Sequence, residues 1–287
     1  MADKDIGEKT LEELDDVFAD ICNVLLFRGK QVISQDDLAE SNPHTNYSAS
    51  GKLRDQERDT VKFWHDNQVR IAMIGFENQT GPDRDMPLRV ISYDGAAYRA
   101  QFSPDNNNAR YPVITMVLYF GYRQRWNKPR TLLECLQVPE EIRPFVHDYG
   151  MNLFEIAFLE DEDVRLFQSD FRYVADYFVQ MRKSGKYSPP SDTIQHVSEL
   201  LNLFSALTED NRFAESYERI RQKERINMCT VLDEIEERGI EKGKNERDRE
   251  IIGEMLRRGK NPEAISDFCG YPISLVREVE EKMLISQ

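Results

Sequence analysis

Nothing in the 287 residues stays apolar for the roughly 18 positions that a bilayer-spanning helix needs, so no membrane segment is expected. Cysteine is sparse and scattered. Cys22, Cys135, Cys229 and Cys269 form no C-x-x-C pair, which argues against a zinc ribbon or a disulfide framework and fits reduced thiols. The four histidines, His44, His65, His147 and His196, are equally dispersed and form no local ligand cluster. The start, Met1-Ala2-Asp3-Lys4-Asp5, lacks the apolar stretch of a secretory signal, so a cytoplasmic location is expected. Basic residues are outnumbered: the net charge of −14 speaks against a protein that coats nucleic acid.

A core is available nonetheless, since 40% of the residues are hydrophobic and 10% aromatic, too many for a chain disordered over most of its length. The charge is also uneven. Between Arg84 and Arg130 stand Arg84, Arg89, Arg99, Arg110, Arg123, Arg125, Lys128 and Arg130, against only Asp85, Asp94 and Asp105. Such a stretch can face phosphates, or it can be a solvated face that lacks acids.

Periodicity orders the elements. Leu11, Leu14, Phe18, Ile21 and Leu25 recur at helical spacing over 9–28, and Gly29 stops the run. Residues 40–52 are polar and turn-rich. Strands are expected over 58–65 and 69–78 with a turn at Asp66-Asn67, making a hairpin whose second strand is apolar enough to be central. After Gly81-Pro82-Asp83 a helix starts with Asp85 as N-cap and Pro87 in its first turn, and runs to about Phe102. Ser103 to Arg110 is a polar loop, Pro112 to Phe120 a buried strand, and 151–159 a further strand. From about Asp161 the pattern is helical. A long charged helix spans 226–258, interrupted by Gly239 and Gly243, and two short helices surround Gly270-Tyr271-Pro272. That last pair has the outline of a helix-turn-helix, although a plain helical hairpin is the commoner explanation. The order helix, strand, strand, helix, strand predicts an α/β fold with a mixed sheet.

The chemistry concentrates between Asp59 and Gln79. Glu77 and Gln79, two apart on a strand, point to one face of the sheet, and Asp59 lies on the partner strand. The hairpin register is open from sequence alone, but either register brings an acidic pair to one end of a mostly apolar hairpin. An acid on an apolar strand needs compensation, and a divalent cation is one source of it. Two carboxylates holding Mg²⁺ with several waters suit phosphodiester hydrolysis. A D-x(17)-E-x-Q spacing is weak by itself, because strands also end in Glu-Asn-Gln as solvated edges.

The wider context is more specific. Ile74-Gly75-Phe76-Glu77-Asn78-Gln79-Thr80, followed by Asp83, Met86-Pro87 and Arg89, resembles the signature of the bacterial recombination-promoting nuclease / putative transposase family. So does Tyr111-Pro112-Val113-Ile114, continuing through Val117-Leu118-Tyr119-Phe120-Gly121 to Trp126, and Asp15 with Phe18 matches the family's opening D-x-x-F element. These blocks run in consistent order from about residue 8 to 160. The C-terminal part resembles the family's tail with lower specificity, through Gly-spaced charged helices and a Leu-x-x-Gly element from Leu256 to Gly259.

The resemblance implies a PD-(D/E)xK nuclease fold, with a mixed sheet flanked by helices. It implies a Mg²⁺-dependent DNA endonuclease with Asp59 and Glu77 as metal-binding acids. Gln79 stands where the broader superfamily carries lysine, so it offers hydrogen bonds without charge. Lys62 or Arg89 are the candidates to supply that charge, Asp15 is a candidate to help hold the site, and Tyr98 and Gln101 to line it. The expected organisation is a nuclease-like domain over 8–160, a helical extension over 161–225 and a charged tail over 226–287. That tail would regulate or position the nuclease and supply a surface for self-association. A different class of function, a catalytically weak DNA- or protein-binding module on the same fold, is favoured by Gln79 and the acidic balance; the retention of both Asp59 and Glu77 favours the nuclease.

Overall fold

The computed structural model describes residues 11–41, 44–49, 52–57, 59–66, 69–102 and 110–285. A 3-10 turn, Leu11–Glu13, leads into α1, Asp15–Leu25, whose Val17, Phe18, Ile21 and Cys22 are buried at helical spacing. The strands are β1 Leu38–Glu40, β2 His44–Ala49, β3 Lys52–Glu57, β4 Thr60–Asp66, β5 Val69–Gln79, β6 Val113–Tyr119 and β7 Asn152–Glu155. Between β5 and β6 lies α2, Met86–Ala100, with Asp85 at its N-cap and Pro87 in the first turn.

Five strands form one mixed sheet in the order β1-β4-β5-β6-β7. β1, β4 and β5 are antiparallel neighbours, and β6 and β7 run parallel to β5. The α2 connection is therefore the crossover that parallel pairing requires. β5 is central: Ile74 and Phe76 are buried on one face and Met73 on the other. The fold is α/β, with helices on both faces and a helical C-terminal region.

Two expectations are corrected locally. The polar stretch after residue 40 contains a separate antiparallel ribbon, β2 with β3, registered from His44 opposite Glu57 to Ala49 opposite Lys52. Apolar alternation is the signal that periodicity reads, and this polar ribbon has little of it. The strand expected over 151–159 ends at Glu155 and turns into a 3-10 segment, Ile156–Phe158. Ile156 and Ala157 are completely buried there, and the Ala157 carbonyl accepts from Arg182 Nε at 2.6 Å, so packing against the next helices ends the strand. The turn residue Asn67 and the loop over 103–109 lie outside the described residues.

The remaining helices are α3 Leu132–Cys135, α4 Asp161–Val164, α5 Phe171–Ser184, α6 Val197–Thr208, α7 Arg212–Ile220, α8 Met228–Arg257, α9 Pro262–Cys269 and α10 Ile273–Ile285. The main core joins Phe18, Phe76 and Leu118 to Phe171, Phe178 and Phe204, and reaches Met228 and Val231 at the start of α8. α8 runs unbroken through Gly239 and Gly243, with open space where their side chains would be. Its far end packs with α9 and α10 around a separate cluster of Ile252, Ile265, Val276 and Val279. Gly270, at φ +73°, makes the turn between α9 and α10 in a conformation that favours glycine.

Candidate active site

Strand alternation decides which side chains meet. Met73 packs with Val61 and Ala97 on the α2 side of the sheet, whereas Ile74 and Phe76 join the core on the α1 side. Glu77 and Gln79 are in phase with Met73, so both face α2, while Asn78 is in phase with Phe76 and faces α1. In the β4–β5 register Thr60 is opposite Phe76. Asp59, one residue earlier, therefore stands opposite Glu77. Its Oδ2 accepts the main-chain N–H of Asn78 at 2.6 Å, which ties the head of β4 to the end of β5.

Glu77 is 3% exposed, and its Oε1 accepts from the Arg89 guanidinium and, over 3.4 Å, from Gln79 Nε2. The placement of Arg89 follows from the packing of α2. Met86 and Val90 are buried against Val117 and Tyr119, which turns Arg89 and Tyr93, one helical turn apart, toward Glu77. Arg89 also donates to Asp83 Oδ2 at 3.3 Å and to the Tyr93 hydroxyl at 3.2 Å. Burial first, then the negative charge of Glu77, pushes the Tyr93 phenol up, with Asp59 adding to the rise. Its hydroxyl thus stays protonated beside both acids.

A residue that periodicity passes over completes the group. Glu12 is 1% exposed, and its Oε2 accepts from Asn78 Nδ2 at 2.6 Å. Burial pushes its carboxyl up to about 8; the Asn78 hydrogen bond opposes this, and the charges of Asp59 and Glu13 add to it. In a continuous helix with the stripe Leu11, Leu14 and Phe18, Glu12 would fall beside the stripe and face water. The 3-10 turn before α1 rotates it inward instead. Its only signal in sequence was adjacency to Leu11.

The other candidates are held by other partners. Asp15 is on the α1 side, where it pairs with Lys62 Nζ at 2.6 Å. Lys62 is itself buried, 5.9 Å above the Phe18 ring, so Arg89 and not Lys62 is the cation at Glu77. Tyr98 and Gln101 bond the start of β6: Tyr98 accepts from Val113 N, and Gln101 bridges the main chain of Tyr111. Val113 is level with Met73 and Val117 with Glu77, so they sit about 13 Å along the sheet from the acids, at roughly 3.3 Å per residue.

The surroundings suit an anionic polymer. Arg84 follows β5, and Arg123, Arg125, Lys128 and Arg130 follow β6, all exposed at the strand ends that carry Glu77 and Gln79. Arg125 and Arg130 pair with Glu155 at 2.9 and 3.9 Å, leaving Arg84, Arg123 and Lys128 toward solvent at the rim. A cavity of about 210 Å³ beside Asp59 is lined by Glu13, Glu40, Thr60 and Lys62. A groove of about 610 Å³ lies between α7 and α8 among Arg219, Arg238 and Lys242, away from Asp59 and Glu77.

Among the described residues no cluster of three or more His, Cys, Asp or Glu side chains is arranged to hold a metal ion. Asp59 and Glu77 offer two hard oxygen donors, the small protein share with which Mg²⁺ is commonly bound when water and substrate phosphate fill the remaining positions. The donor chemistry fits that cation. No helix among the described residues is long and apolar enough to cross a membrane.

A mixed sheet with an acidic hairpin end, flanked by basic loops, defines an α/β protein whose candidate site lies at the ends of its central strands. A family model described as "Putative transposase, YhgA-like" matches residues 36–213, more than half of the chain, and the protein belongs to that family. The matched span includes Asp59, Glu77, Gln79 and Arg89 but not Glu12 or Asp15. Neither the curated proteins nor the solved structures contain a match.

Proposed function

We propose that the protein is a Mg²⁺-dependent DNA endonuclease of the PD-(D/E)xK kind, acting in the cytoplasm and promoting recombination by cutting phosphodiester bonds. The observation that carries this reading is that Asp59 is bonded to the main chain of Asn78, next in sequence to Glu77, while the Arg89 guanidinium sits on Glu77 itself. Asp59 and Glu77 would hold the cation. When bound, it polarises the phosphate and lowers the pKa of the attacking water.

The side chains of the protein supply the rest. Arg89 carries the positive charge that Gln79 lacks; its fork can turn from Glu77 to a phosphate oxygen when DNA enters. Gln79, beside Glu77, orients a water or phosphate oxygen through its amide. Arg84, Arg123 and Lys128 on the strand-end loops meet the flanking phosphates, which fixes orientation without reading sequence. On this reading residues 8–160 carry the chemistry, 161–225 brace it, and 226–287 position the enzyme or join copies of it.

The test is incubation of the purified full chain with supercoiled plasmid and Mg²⁺, with and without EDTA, beside Asp59→Asn and Glu77→Ala. Nicked or linear products that vanish with EDTA and with either substitution support the proposal. A second reading, a DNA-binding module without cleavage, is favoured by one observation: Arg89 already neutralises Glu77. Salt-sensitive DNA binding with no cleavage in Mg²⁺ or Mn²⁺ would establish it instead.

A further inference from the structure

Two buried acceptors stand on either side of one hydrogen bond. Glu12 Oε2 accepts from Asn78 Nδ2 at 2.6 Å, while Glu12 Oε1 and Asn78 Oδ1 are both buried with no hydrogen-bond donor among the described residues. Leaving two acceptors dry is unfavourable for each of them. One proton removes both deficits, because a carboxylic acid and a primary amide can pair in a ring, each donating once and accepting once. The same Asn78 holds Asp59 through its main-chain N–H. The amide thus sits between the two acids, its side chain on one and its backbone on the other.

We propose that Glu12 works as an uncharged carboxylic acid, its Oε1–H donating to Asn78 Oδ1, and that this pair fixes the Asn78 backbone on which Asp59 is held for the cation. Glu12 is then a positioning residue, with no bond to metal or substrate. The claim rests on the reading of Asp59 and Glu77 as the cation site. The charges around Glu12 agree with a neutral acid. Asp59 and Glu13 oppose its ionisation. The cation on the adjacent strand, Lys62, is engaged by Asp15. α6, which packs on the same 3-10 turn, carries only Glu199 as a charged side chain.

Infrared difference spectra of the metal-free full-length protein between pH 6 and pH 10 test the protonation directly. The expected result is a protonated-carboxyl band at the lower pH that is lost at the higher one and is missing in Glu12→Gln. Absence of such a band in the wild type overturns the proposal, and this arm needs neither a variant that folds nor a cation. The second arm is calorimetric titration with Mn²⁺. Glu12→Gln keeps a neutral amide in the same ring, so its affinity stays near that of the wild type, whereas Glu12→Ala loses about 10–100-fold, as partners that orient a metal ligand do. If Glu12→Gln falls as far as Glu12→Ala, the carboxylate itself is needed and the neutral pair is wrong. A wild type that binds no Mn²⁺ overturns the cation site, and the infrared band then decides the Glu12–Asn78 pair by itself.

Discussion

Arg89 and Glu77 form an ion pair between the first turns of a helix and the end of the central strand, with the carboxylate 3% exposed and the guanidinium 38% exposed. The half-exposed partner is the one free to turn toward solvent. In the proposed enzyme it is the group that exchanges a carboxylate for a phosphate.

Arg89→Ala should therefore separate binding from cleavage. Cleavage is expected to fall by about 10²–10³-fold, the scale for removing one group that stabilises transition-state charge. Mn²⁺ affinity should hold or rise, because a competitor for Glu77 is gone. Arg89→Lys retains the charge without the planar fork and should lie between. Kinetics and calorimetry on the same preparations check this; a parallel loss of Mn²⁺ binding would show that Arg89 only shapes Glu77.

Asp94 is a structural acid, and its loss should be felt in stability. It is buried, accepting from Thr115 Oγ1 at 2.6 Å on β6 and from the Tyr149 hydroxyl on the segment before β7. Asp94→Ala strands both hydroxyls, at about 1–3 kcal/mol each. Urea denaturation should show a lower midpoint with little change in slope; an unchanged midpoint would mean that water replaces the carboxylate without penalty.

Glu12 ties stability to pH. Its carboxyl is raised to about 8 from an ordinary 4.5, so between those values the native state holds a proton that the unfolded chain has released. Stability from this group is then greatest at acid pH and declines as pH rises toward 8. Glu12→Gln removes the dependence. The melting temperature of Glu12→Gln relative to wild type should climb from pH 5.5 to pH 8.5, and a constant difference across that range would contradict the shift.

Two of the apolar clusters predict two kinds of destabilisation. Met228 belongs to the main core although it begins the tail helix, whereas Ile265 belongs to the cluster at the far end of that helix. Met228→Ala should lower global stability by about 2–5 kcal/mol. Ile265→Ala should instead open α9 and α10 to hydrogen exchange while leaving the main unfolding transition and cleavage in place. Loss of cleavage in Ile265→Ala would assign the tail cluster a part in the site.

Most of the fold is legible because its elements have strong local signals. The alternation at the end of β5 separates Glu77 and Gln79 from Asn78, and Asp85 with Pro87 marks the start of α2. The β2–β3 ribbon escapes because polar strands leave no apolar period, and β7 ends early because Ile156 and Ala157 are taken by the helical layer, a contact made with residues far along the chain. Gly239 and Gly243 read as interruptions of α8 in sequence. The helix passes through them because single glycines weaken a helix by only about 1 kcal/mol each.

The site divides in the same way. Sequence by itself determined that Glu77 and Gln79 share a strand face, because strand geometry alternates with a period of two and needs no knowledge of neighbours. It also narrowed the missing positive charge to two candidates, Lys62 and Arg89. Only the tertiary structure decided that Arg89 and not Lys62 meets Glu77, that Asp15 belongs to the other side of the sheet, and that Glu12 is drawn inward against Asn78. Those choices depend on how α1, α2 and the preceding 3-10 turn pack onto the two faces of the sheet. Burial and pairing of this kind are set by atoms dozens of residues apart, which no local pattern records.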